Sequence, residues 1–208
     1  MKKEKKELIQ YWKTTKLVTD KRVIKAFEEV ERENFILKKY KDEVYGDYPL
    51  PIYEGQTISQ PTTVAMMLEF LEVKKDSKVL EIGTGSGYNA ALLSKLTRNK
   101  VVTIERIRKL VNFAKKNLKK AGIKNVKVIY GDGTKGYKKE APYDRIIATC
   151  GAKEIPKAWK EQLAEGGIIV APIGNLEQVM VIARKTKGKL TYQKKGEFRF
   201  VPLITGKG

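Results

Sequence analysis

The chain has 208 residues, 41% hydrophobic and 32% charged, ample for a core of its own and outside the disordered, collagen-like and disulfide-scaffold classes. One Cys and no His exclude an internal disulfide and a Cys-based zinc site and argue against His-based triads and metal hydrolases, so no metal is expected. A formal charge of +19 raises nucleic acid as a partner, but Arg is a small minority of the 43 basic residues, and Lys scattered along a chain is more often a solvated surface than a reader of phosphates and bases.

Charge interrupts Met1–Leu8 before an apolar leader core can develop, and no apolar run approaches the roughly 20 residues that a bilayer requires. A cytoplasmic protein is therefore expected, without membrane partners. A monomer is expected as well, since no exposed apolar stripe or heptad stands out.

Apolar residues at helical spacing (Leu8, Ile9, Trp12, then Val23, Ile24, Phe27, Val30) predict two helices within residues 4–33, with Asp20 capping the second. Residues 34–60 are aromatic and contain Pro, and Tyr45–Ile52 reads as a structured loop or short strands. From residue 61 helices and strands alternate: helix Thr62–Leu71, strand Lys78–Ile82, helix Tyr88–Leu96, strand Val101–Glu105, helix Lys109–Ala121 and strand Val126–Tyr130. Strand Tyr143–Thr149, helix Pro156–Ala164 and strand Ile168–Ile173 follow. Gln178–Thr186 and Leu190–Lys194 flank Lys187-Gly188-Lys189, a hairpin signal.

The fold class expected is α/β: a doubly wound, mostly parallel sheet with N-terminal helices and antiparallel C-terminal edge strands. One domain over residues 1–208 is expected, with helices and a site loop in 1–60, the α/β core in 61–175 and the final strands in 176–208.

Gly83-Thr-Gly85-Ser86-Gly87-Tyr88 follows a buried strand and opens a helix, where a ligand can approach the backbone closely. It is not a phosphate-cradling loop, because no Gly-Lys-Ser/Thr follows, and Tyr88 departs from the dinucleotide fingerprint. Glu105 ends the next strand, suited to accept from both hydroxyls of a ribose. Asp132, between Gly131 and Gly133, can take an adenine amino group. Glu81 with the glycines, then Glu105, then Asp132, resembles the pattern of S-adenosylmethionine-dependent methyltransferases, whose sulfonium cofactor carries no phosphate.

The Asn/Asp-Pro-Pro-aromatic motif of amino-nitrogen methyltransferases is missing from Ala148-Thr-Cys-Gly-Ala152. Cys150 raises covalent activation of a pyrimidine, but that chemistry requires an activated thiolate, and a small buried Cys at a strand end is the favoured account. Gly55-Gln-Thr-Ile-Ser59-Gln-Pro61 precedes an apolar helix. Ser59 or Gln60 reads as its N-cap and Pro61 as its first turn, and the same features make a receptor for a carboxylate. A carboxylate acceptor suits a chain without His, because with a pKa near ~4 it is ionised at neutral pH and requires no general base.

Over nearly its whole length the sequence resembles the protein-L-isoaspartate (D-aspartate) O-methyltransferases, which esterify the abnormal carboxyl of isoaspartyl residues in damaged proteins. The likeness rests on Arg32–Phe35, Leu50–Ile52, Gly55–Pro61, Val79–Tyr88, Gly131–Gly133 with Ala141–Asp144, Ile155-Pro156, Gln162-Leu163 with Gly166-Gly167, and Arg199–Leu203. The resemblance implies S-adenosylmethionine as cofactor and damaged, isoaspartate-containing proteins and peptides as partners. It implies Ser59 as the hydroxyl that holds the acceptor, with Val201 and Pro202 on the peptide-facing wall. Thr57, Ile58, Gly83, Gly85, Ser86, Glu105, Asp132 and Gly133 are implied to bind the cofactor. Tyr53-Glu54 and Cys150-Gly151 depart from the small residues usual in the family and bear on the acceptor pocket. The alternatives left open by the residues are an RNA or DNA base methyltransferase, favoured by the charge and Cys150, and a nucleoside-binding module without turnover.

Overall fold

Helices α1 (Lys3–Thr15) and α2 (Lys21–Glu29) form where apolar residues recur on one face, and they bury Ile9 and Trp12, and Val23, Ile24, Ala26 and Phe27. Asp20 caps α2 by accepting from the Arg22 backbone N–H. This computed structural model describes residues 2–206; Met1, Lys207 and Gly208, the ends of the expected domain, lie outside the described residues. The aromatic segment that follows contains 3-10 turns at Arg32–Asn34 and Lys38–Glu43. It then forms a small antiparallel pair, β1 (Leu50–Pro51) with β2 (Thr57–Ile58).

The α/β core continues as α3 (Pro61–Leu71), β3 (Val79–Ile82), α4 (Tyr88–Leu96), β4 (Val101–Glu105), α5 (Arg108–Lys120) and β5 (Val126–Tyr130). Then come β6 (Tyr143–Ala148), α6 (Lys157–Gln162), β7 (Leu163–Gly174), β8 (Gln178–Thr186) and β9 (Lys189–Phe198). Seven strands make one sheet in the order β5-β4-β3-β6-β7-β8-β9, parallel from β5 to β7 and antiparallel thereafter. The chain thus winds from β3 towards β5 and then returns to the other side of β3. Where strand order reverses in this way, the carboxyl ends of the strands diverge and leave a crevice for a ligand.

Alternate residues of β3 serve the two faces. Val79 joins a core with α1–α4, whereas Leu80 and Ile82 join a second core with Ile146, Trp159 and Ile169. One boundary differs from expectation: α6 ends at Gln162, and Leu163 and Ala164 already belong to β7. Pairing of Leu163 with Tyr143 across an irregular β6–β7 register draws that segment into the sheet before Gly166-Gly167. Edge strand β9 is mostly exposed and carries Lys189, Lys194 and Lys195, which discourage pairing with another chain.

Tyr88, at the position where a dinucleotide loop would have Gly, is buried against Phe27 and Phe35, with ring centroids at 6.1 and 5.5 Å. The fully buried guanidinium of Arg32 lies 5.1 Å from the Tyr88 ring centroid and donates from Nε to the Val44 carbonyl at 2.9 Å. An aromatic at this position therefore anchors the N-terminal segment to the start of α4.

Helix α3 is capped from a distance. Gln60 is its N-cap residue but its side chain bonds no backbone N–H; instead Asp47 accepts from the Thr62 N–H at 2.9 Å and the Thr62 hydroxyl at 2.7 Å. Thr62 Oγ1 in turn accepts from Trp12 Nε1 at 2.7 Å. Pro61 has no N–H to offer, so the expected row of free donors at this helix start is already reduced. Asp47→Ala removes the cap and is expected to cost about 1 kcal/mol, lowering the thermal midpoint by about 2–4 °C, as read by circular dichroism.

Candidate active site

The carboxyl ends of β3, β4, β5 and β6 surround a cavity of about 250 Å³. Its walls are apolar at Ile82, Ile104, Leu110, Val201, Leu203 and Ile204, and polar at Thr57, Glu105, Arg106 and Thr149. The glycine turn forms one side. Gly83 has φ +92°, and a Cβ there would lie 2.6 Å from Thr149 Oγ1, so only Gly permits this approach. Thr149 Oγ1 donates to the Gly83 carbonyl at 2.6 Å and ties β6 to the turn.

Glu105 closes the next side. Its carboxylate accepts from the Gly85 N–H at 3.0 Å and the Ile107 N–H at 2.9 Å. A carboxylate has about four lone-pair sites, so two remain for vicinal hydroxyls presented from the cavity. Beyond β5, Trp159 Nε1 donates to the Gly133 carbonyl at 2.8 Å, and Gly133 reaches the cavity wall. Asp132 accepts from the Thr134 N–H and hydroxyl at 2.9 and 2.6 Å and from the Gly206 N–H at 2.8 Å. Burial works to raise its pKa, but these hydrogen bonds prevail and hold the carboxyl below its ordinary range.

The C-terminal segment completes the enclosure. Gly151 N–H donates to the Val201 carbonyl at 2.8 Å, and Leu203 N–H to the Gly151 carbonyl at 2.7 Å. Gln178 holds Phe200 through both backbone groups. Thr57, Gly83, Gly85, Glu105, Gly133, Val201 and Pro202 are thus brought together around one cavity. Ile58, Ser59, Ser86 and Asp132 stand behind or beside its lining. Ile58 is buried in the β1–β2 pair, and Ser59 is half-buried next to the lining loop. Among the described residues the Ser59 hydroxyl has no hydrogen-bond partner. Thr149, Arg106, Leu203 and Ile204 are wall residues that sequence reasoning did not single out; Leu203 closes the Arg199–Leu203 motif, but nothing local marks the other three.

One further group bears on the chemistry. Burial, and then the charges of Glu105 and Glu81, push the Cys150 thiol up to about 12, so it is protonated at neutral pH and unsuited to attack a pyrimidine. Among the described residues no cluster of His, Cys, Asp or Glu could hold a metal ion.

The family model for protein-L-isoaspartate(D-aspartate) O-methyltransferase matches residues 2–208. The chain belongs to this family. A protein-L-isoaspartate O-methyltransferase of Pyrococcus horikoshii is 44% identical over 211 residues, covering 97% of this chain and 96% of the relative. One from Methanosarcina mazei is 48% identical over 190 residues, covering 90% and 78%. A solved protein-L-isoaspartate O-methyltransferase superposes with a TM-score of 0.88 at 36% identity, covering 98% of this chain and 67% of that one. A Plasmodium falciparum structure assigned to the same family, in complex with S-adenosyl-L-homocysteine, gives 0.84 at 27% identity, covering 96% and 97%.

The family's cofactor is S-adenosylmethionine, and the cavity suits it. The slot is apolar for an adenine, Glu105 has acceptor capacity for ribose hydroxyls, and the glycine turn carries no Lys or Arg of the kind a phosphate would require. Beneath the turn lies Glu81, fully buried, accepting from Asn89 at 2.8 Å and from Thr103, whose hydroxyl also meets Thr84 at 2.7 Å. Burial raises its pKa from an ordinary 4.5 to about 7, against the lowering effect of the Thr103 and Asn89 hydrogen bonds. The folded carboxyl keeps its proton where the unfolded one has lost it, so its contribution to stability declines as pH rises from about 4.5 to about 7. Glu81→Gln, which mimics the protonated acid, should remove this dependence. In urea titrations across the window, the stability of the parent relative to the variant should decrease with pH.

Proposed function

We infer that this protein transfers a methyl group from S-adenosylmethionine to the free carboxyl of L-isoaspartyl and D-aspartyl residues in damaged proteins and peptides. The observation that carries the reading is family membership across residues 2–208 combined with a cavity at the strand switch point whose glycine turn carries no Lys or Arg. When bound there, S-adenosylmethionine supplies an electrophilic methyl group on a positively charged sulfur.

The residues then divide the work. Glu105 accepts the ribose hydroxyls with the lone pairs that Gly85 and Ile107 leave free, and Asp132 and Gly133 serve the adenine edge. The glycine turn from Gly83 to Ser86 runs along the methionine portion, and Thr57 and Ile58 flank it from the acceptor side. Ser59 donates its unpartnered hydroxyl to the isoaspartyl carboxylate and fixes one oxygen, leaving the other to face the methyl. Val201 and Pro202 bound the peptide and exclude water. With no His in the chain and a substrate already ionised, catalysis rests on in-line positioning and desolvation of the carboxylate oxygen. The resulting ester is attacked by the next backbone nitrogen, which loses its proton as methanol leaves, and the succinimide so formed reopens in part to aspartate.

The chain works as one unit, because the N-terminal helices share a core with β3, β6 and β7. A cytoplasmic monomer is part of the same reading, supported by a buried free thiol and by exposed large apolar residues that are scattered singly: Tyr11, Tyr48, Tyr53, Leu176, Tyr192 and Ile204. Among the described residues no helix is long and apolar enough to cross a membrane.

The test pairs two peptides identical except for isoaspartate or aspartate at one site. Base-labile methyl label is expected on the isoaspartyl peptide alone, and label on neither would refute the reading. Ser59→Ala should lower kcat/KM by about 10- to 100-fold with cofactor affinity unchanged, the loss of one hydrogen bond to a charged group. Glu105→Ala should instead weaken cofactor binding by about tenfold or more, measured by calorimetry.

A further inference from the structure

A second, larger concavity of about 1010 Å³ adjoins the cavity. One wall is α5 and the other is the segment 33–41, and Tyr53 stands at one end. Their link to the cavity is direct in the chain. Tyr53 and Glu54 precede Gly55, and Lys109 precedes Leu110, so neighbouring residues of the same loop and helix line the two spaces. Lys109 Nζ meets Glu54 at 2.8 Å on the rim between them. On the floor, Asn117 donates to the Ser86 carbonyl at 2.9 Å, fastening the groove wall to the glycine turn.

The groove is basic. Lys38, Lys39, Lys41, Lys109, Lys116 and Lys120 line it and are all exposed, against a single carboxylate, Glu33, which accepts from Tyr45 and pairs with Lys2. Among the described residues, Lys38, Lys41, Lys116 and Lys120 form no ion pair. Ile36, Leu37 and Phe113 supply an apolar floor. Positions 109, 112, 113, 116 and 120 fall on one stripe of α5, and the rise from Lys109 to Lys120 is about 16 Å. That length matches about five residues of extended polypeptide.

We propose that this groove binds acidic polypeptide segments flanking the isoaspartyl residue, so that the enzyme prefers damaged sites with Asp- or Glu-rich neighbours. The proposal rests on the carboxyl-methylation reading above. A polypeptide is favoured over nucleic acid because the groove lacks Arg forks, and because a face of its exposed aromatic, Tyr53, is already covered by Lys109 Nζ, 4.9 Å from the ring centroid. An extended acidic chain places carboxylates on one side about every 7 Å, close to the roughly 6 Å between Lys116 and Lys120 along the helix.

The test compares isoaspartyl peptides with a common core, extended on either side by four Glu or by four Gln, in the parent and in the combined variant Lys38→Gln, Lys41→Gln, Lys116→Gln, Lys120→Gln. Acidic extension on one side should raise kcat/KM by about five- to tenfold, the sum of a few exposed charge pairs. This should act through KM, fade with added salt, and vanish in the variant, which should process the Gln-extended peptide like the parent. Equal kcat/KM for acidic and neutral extensions on both sides would overturn the groove assignment and leave the methylation reading standing. No transfer to any isoaspartyl peptide would overturn both. An oligothymidylate that binds the parent but not the variant, with acidic and neutral peptides equal, would make the groove a nucleic-acid surface and refute the proposal.

Discussion

The Glu105 carboxylate, at the end of β4, accepts one hydrogen bond from the turn after β3 and another from the turn after its own strand. Those two bonds fix the mutual position of the two loops that any ligand at the switch point must meet. They also consume only half of the carboxylate's acceptor capacity, so the group that builds the site keeps lone pairs for binding. The rest of the cavity is arranged around this fixed edge. Thr149 holds Gly83 from the β6 side, Trp159 holds Gly133, and the segment 200–204 is hung on Gln178 at Phe200 and on Gly151 at Val201 and Leu203 as an outer wall.

Chemistry follows from what the site lacks as well as from what it contains. Substrate ionisation replaces the general base that a chain without His cannot readily supply, and the buried Cys150 thiol is held in its unreactive form. Carboxyl methylation then makes modest demands on functional groups and strict demands on geometry. That balance is consistent with so much structure being spent on anchoring loops.

Much of the core was legible in the sequence because each element there is local: β3, α4, β4, α5 and β5 carry their own periodicity, and their ends lie within about one residue of expectation. Glu105 and the glycine turn were legible for the same reason, since their place after a strand is itself the signal. What escaped was set by distant partners. Asp47 caps α3 from fifteen residues upstream of Thr62, β7 begins early because Leu163 pairs with Tyr143, and Ile204 reaches the cavity through the packing of the tail. The hairpin signal at Lys187-Gly188-Lys189 marks the pairing of β8 with β9, whereas the placing of β8 against β7 lay beyond any motif.

Tyr88 gives the architecture a property that neither its N-terminal helices nor its glycine turn has alone. Because the ring that begins α4 is clasped by Phe27, Phe35 and Arg32, the peptide units that cradle a cofactor and the helices at the start of the chain share one anchor. Detaching α1 and α2 would strip the buried face of α4 and loosen the turn immediately before it. The two regions therefore open and close as one cooperative unit, and occupancy of the cavity protects the amino-terminal helices from unfolding although they lie outside its lining.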